Sequence, residues 1–203
     1  MPFWSKAGRK PVAAPELKAS AAATGHAMWR TSADPWPRWS YKSAAERALC
    51  RNPVAQRCLR LITDSAAAVA WKLHDRHAVL EDDPLLAIIQ RPNPLCSRSG
   101  LIEAVISHLL LHGNAYIEKV VAEDGVRPLE LYALRPDRMS IKPGVHGWPQ
   151  RYEYTSGDQK VSFPVDTVSG ESRILHLKTH NPLDDYYGQS ALQAALSALD
   201  LHG

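Results

Sequence analysis

The chain has 203 residues, of which 45% are hydrophobic and 22% are charged, a length and composition that suit one domain with a core, or a domain with a tail. No apolar run is long enough to cross a bilayer and no apolar segment follows the basic N-terminus, so we expect neither a membrane span nor a secretory signal. The net charge of +3 is the sum of +8 in residues 1–60 and −5 in residues 61–203. Residues 61–203 show no concentrated basic face, which argues against a protein that reads a DNA sequence.

Residues 1–45 are predicted to form a flexible, disordered arm, because this basic segment is interrupted by prolines and contains a small-residue stretch that buries little. Trp29, Trp36 and Trp39 are the exception, since large aromatic side chains favour a packed partner. These three are candidate assembly residues that would anchor the arm on its own domain or on a neighbouring subunit. A local cluster within the arm stays open as an alternative. The basic charge fits either a nucleic-acid or acidic partner, or a solvated arm.

The three cysteines, Cys50, Cys58 and Cys96, do not form a CxxC pair. Zinc sites are typically built from such pairs, so this spacing does not predict one. A disulfide would leave one cysteine over. We therefore expect free or buried thiols in a reducing compartment.

Residues 46–203 are predicted to form one α+β domain in which several helices pack on an antiparallel or mixed sheet. Asn52 and Pro53 are typical of a helix start. The following apolar and small positions recur at helical spacing and are predicted mostly to face a core: Val54, Cys58, Leu61, Ile62, Ser65 and Val69. Two short strands around a turn at 74–77 and a short helix at 85–90 come next.

The stretch 109–118 joins an apolar helix to a strand, and the domain is predicted to be organised around it. Gly113 ends the helix in the left-handed conformation that glycine adopts without steric cost. The helix begins at Ser97 or Ser99. Its apolar side is predicted to pack on the sheet that starts near Tyr116, through Leu101, Val105, Ile106 and Leu109.

His108 and His112 lie four residues apart near the C-terminal end of that helix. A positive charge is favourable there because the helix dipole is negative at this end. We therefore favour the interpretation that the two histidines interact with the helix dipole. A metal-binding pair is the alternative. It is disfavoured because no glutamate of an HExxH motif lies between the two histidines.

The region after Tyr116 is predicted to be a meander of antiparallel strands, since the connections are too short for crossover helices. The strands are expected at 116–121, 129–134, 139–142, 151–155, 159–163 and 173–178, with hairpin turns at 123–125 and 156–158. A loop at 181–188 follows. Ser190, with Gln193 three residues later, predicts a capping box that opens a last amphipathic helix.

His176, His180 and Asp184, with Asp185, are the nearest candidates for chemistry, as ligands of a metal-dependent hydrolase. The favoured alternative is a set of surface polar residues around a loop, because nothing in the pattern brings the side chains together. No nucleophile elbow, phosphate-binding loop or dinucleotide motif is found in the sequence. We therefore expect no catalytic residue, no cofactor and no metal.

Several short motifs follow one another in a recognisable order. They are Arg51-Asn52-Pro53, Trp71-Lys72-Leu73, Asp83-Pro84-Leu85-Leu86, Arg91-Pro92-Asn93-Pro94, the stretch 109–116, Leu129-Glu130-Leu131, Leu134-Arg135-Pro136-Asp137-Arg138, Ile174-Leu175-His176-Leu177 and Tyr187-Gly188-Gln189-Ser190-Ala191-Leu192. This ordered set resembles the N-terminal part of the HK97-like family of phage portal proteins, which also occurs in prophage particles and gene transfer agents. The resemblance covers residues from about 50 to 203 and leaves the arm out.

The resemblance implies a structural subunit, not an enzyme, in a homo-oligomeric ring at one capsid vertex, usually a dodecamer. It implies a conduit for DNA packaging and ejection and a head–tail attachment point. The implied partners are the major capsid protein, the terminase large subunit, a head–tail adaptor and double-stranded DNA that passes without sequence specificity, with no membrane. The protein would assemble in the bacterial host cytoplasm and reside in the virion.

Portal proteins of this family are longer, and the matched part corresponds to their wing. We therefore expect the stem, clip and crown segments to be absent from residues 1–203. Another head–tail adaptor or capsid structural protein is the alternative. The candidate assembly residues in the wing are Gly113, Asn114, Tyr116, Tyr187, Gly188 and Ser190.

Overall fold

A computed structural model gives the fold of most of the chain. It describes residues 40–76, 78–122, 128–144, 147–193 and 195. Trp29, Trp36 and Trp39, the predicted turn at 123–125 and most of the predicted last helix lie outside the described residues. The division between an arm and a domain at residue 46 stays a prediction, and helical structure among the described residues begins at Tyr41. None of the helices described is both long and apolar enough to cross a membrane.

Four α-helices form in the first part of the described chain, each behind a polar capping residue. They are α1 (Tyr41–Ala45), which continues as a π-helical segment (Glu46–Arg51), α2 (Pro53–Ala68), α3 (Pro84–Gln90) and α4 (Arg98–His112). The Asn52 side chain accepts hydrogen bonds from the N–H groups of Val54 and Ala55, which confirms the predicted helix start. Ser97, not Ser99, caps α4.

The buried face of α2 differs from the prediction. The side chains predicted to face a core are exposed, among them Val54 at 67%, Leu61 at 59% and Ile62 at 48%. The buried positions are Ala55, Leu59, Thr63 and Ala67, and the first two pack with α1 and with Leu111 of α4. Both sets recur at helical spacing. The small side chains allow α2 to lie close to its neighbours, so they are on the inner face.

The strands form three antiparallel sheets. Their bounds are β1 (Leu73–His74), β2 (Val79–Leu80), β3 (Asn114–Val121), β4 (Pro128–Leu134), β5 (Met139–Pro143), β6 (Pro149–Ser156), β7 (Gln159–Pro164) and β8 (Ile174–Lys178). The strand orders are β1-β2, β4-β3-β8 and β5-β6-β7. A short 3-10 turn (Pro136–Arg138) leads from the second sheet to the third. The predicted α+β class is confirmed, with every pairing antiparallel.

The start of β3 is buried on both faces and lies between two parts of the core. Ala115 and Ile117 pack against Leu101 and Val105 of α4. Tyr116 points the other way, into a cluster that includes side chains of β5, β6 and β7. The predicted packing of α4 on this strand is therefore confirmed for Leu101, Val105 and Leu109, whereas Ile106 is not part of this cluster. The layers run from the helices through sheet β4-β3-β8 to sheet β5-β6-β7.

Candidate assembly site at the helix–strand junction

Gly113 forms the turn between α4 and β3. Its φ of +81° is left-handed, and its N–H donates to the Leu109 carbonyl at 2.9 Å. A Cβ at this position would lie 2.4 Å from the backbone carbon of Gln189. Glycine is therefore required twice, for the backbone angle and for the close approach of the segment around Gln189.

Asn114, the first residue of β3, binds the backbone of Gly188 at two points. Its Oδ1 accepts from the Gly188 N–H at 2.7 Å, and its Nδ2 donates to the Gly188 carbonyl at 3.2 Å. The backbone N–H fixes which side-chain atom is oxygen. Because Asn114 is only 1% exposed, water does not replace these partners.

Gly188 is packed as tightly as Gly113. A Cβ on Gly188 would lie 2.0 Å from the carbonyl oxygen of Gly113 and 2.8 Å from the backbone nitrogen of Thr179. Thr179 itself donates its N–H to the Gly113 carbonyl at 2.9 Å. Three separate backbone segments thus meet at one point, with no room for a side chain between them.

Ser190 fastens the same segment to the last turn of α4. Its hydroxyl donates to the Leu110 carbonyl at 2.7 Å and accepts from the Leu192 N–H at 3.1 Å. The first bond satisfies a carbonyl near the helix end. The second is the kind of bond expected of a helix-capping serine, although the helix predicted beyond it lies mostly outside the described residues.

The loop between β8 and Ser190 is held by its own polar side chains and by β5. Asp184 Oδ1 accepts from the N–H groups of Tyr186 and Tyr187 at 2.7 and 3.1 Å. Asn181 Nδ2 donates to the Tyr187 carbonyl at 2.9 Å. The Tyr187 hydroxyl accepts from the N–H of Ile141 at 2.8 Å. This last bond satisfies the backbone of β5, a strand at the edge of its sheet.

His176 completes the buried polar group as a neutral ring. Its Nε2 donates to Asn114 Oδ1 at 3.0 Å, and the ring stacks on Tyr116 with centroids 4.4 Å apart. Burial, followed by the charge of Lys178, lowers the pKa of His176 to about 4. Burial also raises the pKa of the Tyr116 hydroxyl. The junction is therefore uncharged at neutral pH, which suits a structural contact.

The histidines of α4 do not carry the charge that was predicted. Burial lowers the pKa of His108 to about 4, and it also lowers the pKa of His112. The predicted interaction of a positive charge with the helix end is wrong, because the His108 ring is buried and the His112 ring is half-buried against its neighbours. They pack instead around Tyr41 of α1, with ring centroids 5.7 and 6.2 Å away.

The structure gives no support to the hydrolase alternative of His176, His180 and Asp184. His176 binds the Asn114 side chain and stacks on the Tyr116 ring. The carboxylate of Asp184 accepts hydrogen bonds from backbone N–H groups. His180 lies beyond the end of β8. Within the described ranges, no group of three or more His, Cys, Asp or Glu residues could hold a metal ion.

The six candidates predicted in the wing all lie at or next to the junction. Gly113, Asn114, Gly188 and Ser190 are joined by the contacts given above, and Tyr116 and Tyr187 pack in the adjacent core cluster. Sequence reasoning missed Thr179 and Asn181. Asn181 Oδ1 accepts a hydrogen bond from the Leu183 N–H at 3.0 Å, which is the pattern of an Asx turn. An asparagine at the start of a loop is the sequence signal that could have identified this residue. A role of these residues in assembly stays a prediction.

A family model described as phage portal protein matches residues 53–203. Two uncharacterized proteins are also similar in sequence over 153 residues: one of Rickettsia bellii (strain RML369-C), 34% identical, and one of Rickettsia felis (strain ATCC VR-1525 / URRWXCal2), 33% identical. Each alignment covers 74% of this chain and 39% of the relative, so the chain spans about two fifths of their length.

Solved structures of gene transfer agent (GTA) particles contain similar chains. A chain in the neck of an empty GTA particle, computed with C6 symmetry, has a TM-score of 0.74 and 39% identity, covering 89% of this chain and 49% of that chain. A chain in the virion of the native GTA particle has a TM-score of 0.69 and 38% identity, with 88% and 47% covered. A chain in the neck of the native particle, computed with C12 symmetry, has a TM-score of 0.68 and 38% identity, with 89% and 47% covered.

Proposed function

The chain belongs to the phage portal protein family, and we propose that it is a structural subunit of the portal ring at one vertex of a phage or gene transfer agent particle. The observation that carries this proposal is the likeness to a chain in a particle neck, with 39% identity and a TM-score of 0.74. At that identity the similarity extends beyond the fold. No activity other than assembly is proposed, because the polar junction serves to hold backbone segments together.

We infer that the ring is a dodecamer. The similar neck chains come from particles computed with C12 and with C6 symmetry, and a ring of twelve copies is compatible with both. A ring of identical subunits requires a heterologous contact, in which one surface of a copy meets a different surface of the next. Such a ring leaves a central opening through which DNA is packaged and ejected.

The proposed partners follow from a place between head and tail. They are the major capsid protein, the terminase large subunit during packaging, a head–tail adaptor, and double-stranded DNA that passes without sequence specificity. The net charge of −5 in residues 61–203 supports a conduit, because a strongly basic surface would retain the phosphate backbone. We propose that the protein assembles in the bacterial host cytoplasm and resides in the virion.

We propose that the junction serves assembly by fixing the path of the chain after Ser190. The backbones of Gly113 and Gly188 are packed too closely for a side chain to fit between them, and the Asn114 side chain binds the Gly188 backbone. In the similar neck chains about half of the length lies outside the matched part. A rigid junction would hold such a further segment at a set angle to the wing. The arm with Trp29, Trp36 and Trp39 is proposed as a separate interaction element.

The test is electron cryo-microscopy of purified particles that carry a tagged copy of the full chain. We expect the chain in a twelve-fold ring at a single vertex. Density in a separate ring on the tail side of the portal would instead assign the protein as an adaptor. Absence from particles, or distribution over the capsid lattice, would overturn the proposal.

A further inference from the structure

A continuous row of apolar and small side chains on α2 faces away from the described core. We call this row the α2 stripe, formed by Val54, Cys58, Leu61, Ile62 and Ser65 of α2 and by Val69, the residue that directly follows the helix. All six side chains are exposed, from Val54 at 67% through Leu61 at 59% and Val69 at 56% to Ile62 at 48%. At 100° per residue they fall on one arc of the helix. Soluble proteins rarely leave so continuous an apolar face in water unless it binds something.

The α2 stripe has a charged edge. Arg57 and Arg60 are exposed and share the arc beside the stripe with Asp64, and the exposed Arg51 precedes the helix. The edge therefore carries more positive than negative charge. A partner that covers the stripe should present apolar side chains bordered by acidic ones, because like charges brought together oppose binding.

We propose that the α2 stripe is covered by a second copy of this chain, as one side of a heterologous subunit contact. The inference rests on the proposed portal ring and names one surface that builds it. An isologous contact of α2 with α2 would place two edges of net positive charge, each with Arg57 and Arg60 against one Asp64, on one another. A different surface of the second copy avoids this repulsion.

The chain itself offers acidic surface for such a contact. Residues 61–203 carry a net charge of −5. One suitable patch lies between β2 and α3, where Glu81 and Asp82 are exposed and are flanked by Val79 at 45% and Leu85 at 48% exposure. This patch combines the acidic and apolar groups that complement the stripe and its edge.

The N-terminal segment of the same chain is a poorer occupant. Residues 1–39 contain four tryptophans but also six Lys and Arg against two Asp and Glu, a net charge of +4. Docking this segment on the stripe would place it against the positive edge of α2. The charge argument therefore favours the second copy, and the segment becomes an alternative outcome of the test.

Cys58 allows the occupant to be identified, because its exposed thiol lies within the stripe. The full chain with Cys50→Ser and Cys96→Ser is labelled at Cys58 with a maleimide benzophenone and assembled from a mixture of ¹⁵N-labelled and unlabelled copies. After irradiation, mass spectrometry should find Cys58 joined to a peptide of the other isotope. A cross-link to residues 1–39 of the same copy, or to a different protein in particles, would overturn the inference.

A second measurement uses variants that need no probe. Leu61→Asp should raise the protein concentration required for ring formation at least about tenfold, with an unchanged thermal transition, since the side chain is exposed in the single copy. Val168→Asp, at a position 94% exposed outside the stripe, is the matched control and should assemble normally.

The outcomes separate this inference from the proposed function. If Leu61→Asp assembles like the control, the α2 stripe is not the contact, while the portal assignment stands on the wild-type ring. If the wild-type chain forms no ring and is absent from the particle vertex, both proposals fail.

Discussion

The side-chain amide of Asn114 pairs with both the N–H and the carbonyl of Gly188, which lies 74 residues later in the chain. The two bonds join the first residue of β3 to the segment that follows β8. The two bonds have the same donor and acceptor pattern as a pair of residues in neighbouring strands, although the segment around Gly188 is not a strand. Because the Asn114 side chain is buried, water competes little for these two bonds, and they add to those that Thr179 and Ser190 make at the junction.

Asn114→Ala is expected to lower the free energy of unfolding by about 1–3 kcal/mol. The substitution leaves the Gly188 N–H and the His176 ring nitrogen without their acceptor at a partly buried site. Urea denaturation measures the effect. Gln159→Ala, at an exposed position, serves as the control. A loss no larger than that of the control would show that the pairing contributes nothing to stability.

Gly113→Ala is expected to cost about 2–4 kcal/mol of stability, from the left-handed φ and from the contact with Gln189. Gly157→Ala separates the two causes. Gly157 has a φ of +59°, and a Cβ there meets nothing within 4 Å. Its cost should be about 1 kcal/mol, because only the backbone angle is unfavourable. Equal losses in the two variants would contradict the close approach at Gly113.

The stability of the protein should fall as the pH falls from 6.5 towards 4, in part because of His176. The folded protein holds this ring neutral, with a pKa of about 4, whereas its ordinary value is 6.5. The unfolded chain therefore binds more protons in this window, and acid favours unfolding. His176→Gln should reduce the loss between pH 7 and 4.5 by about 2 kcal/mol. The control His74→Gln, at an exposed site, should lose as much stability over this pH range as the wild type. An equally large loss in His176→Gln would refute the prediction.

Glu153 on β6 holds three cations on the outer face of its sheet. Its carboxylate lies 2.7 Å from Lys160 Nζ, 2.9 Å from Arg151 Nε and 3.4 Å from Lys142 Nζ. Hydrogen bonds from Lys160 and Arg151 lower the pKa of Glu153 to about 2. Glu153→Gln should lower the thermal transition, because the three cations then repel one another.

Salt provides the control for this variant. Added salt screens the repulsion, so it should recover part of the loss in Glu153→Gln. Glu171→Gln, at an exposed site in the loop between β7 and β8, should show neither the loss nor the recovery. A thermal transition of Glu153→Gln that does not respond to salt would argue against electrostatic repulsion as the cause.

Deletion of residues 1–39 is expected to impair incorporation into particles while the thermal transition stays unchanged. Ser40, which caps α1, is retained in this variant, so the first helix keeps its start. Quantitative blotting of purified particles measures incorporation, and calorimetry measures the transition. Full incorporation of the shortened chain would remove the arm from the list of interaction elements.

Local features of the fold could be predicted where a residue type is strongly preferred at one kind of position, such as a helix start or a helix end. Gly113 marks a helix end because the left-handed angle suits glycine, and Asn52 with Pro53 marks a helix start. The antiparallel strands follow from their short connections. These signals act within a few residues, so the sequence displays them directly.

Features that depend on the surroundings could not be predicted. The arc of α2 with Val54 and Leu61 was predicted as a core face, but the helix packs by the face with Leu59 and two alanines, because small side chains permit a closer approach. His108 looked suited to a charge at the helix end, but burial keeps it neutral. The pairing of Asn114 with Gly188 was hidden because nothing local links positions so far apart.

Strand β3 obtains its two neighbours at different times during synthesis. Its partner β4 is the next strand in the chain, whereas β8 is made only after β5, β6 and β7. Until residues 174–178 leave the ribosome, β3 is an edge strand with open hydrogen-bonding groups. Sheet β5-β6-β7 can already cover the Tyr116 side of β3 at that stage. During this period the free edge of β3 in the nascent chain can pair with other chains. The exposure ends when β8 pairs with β3.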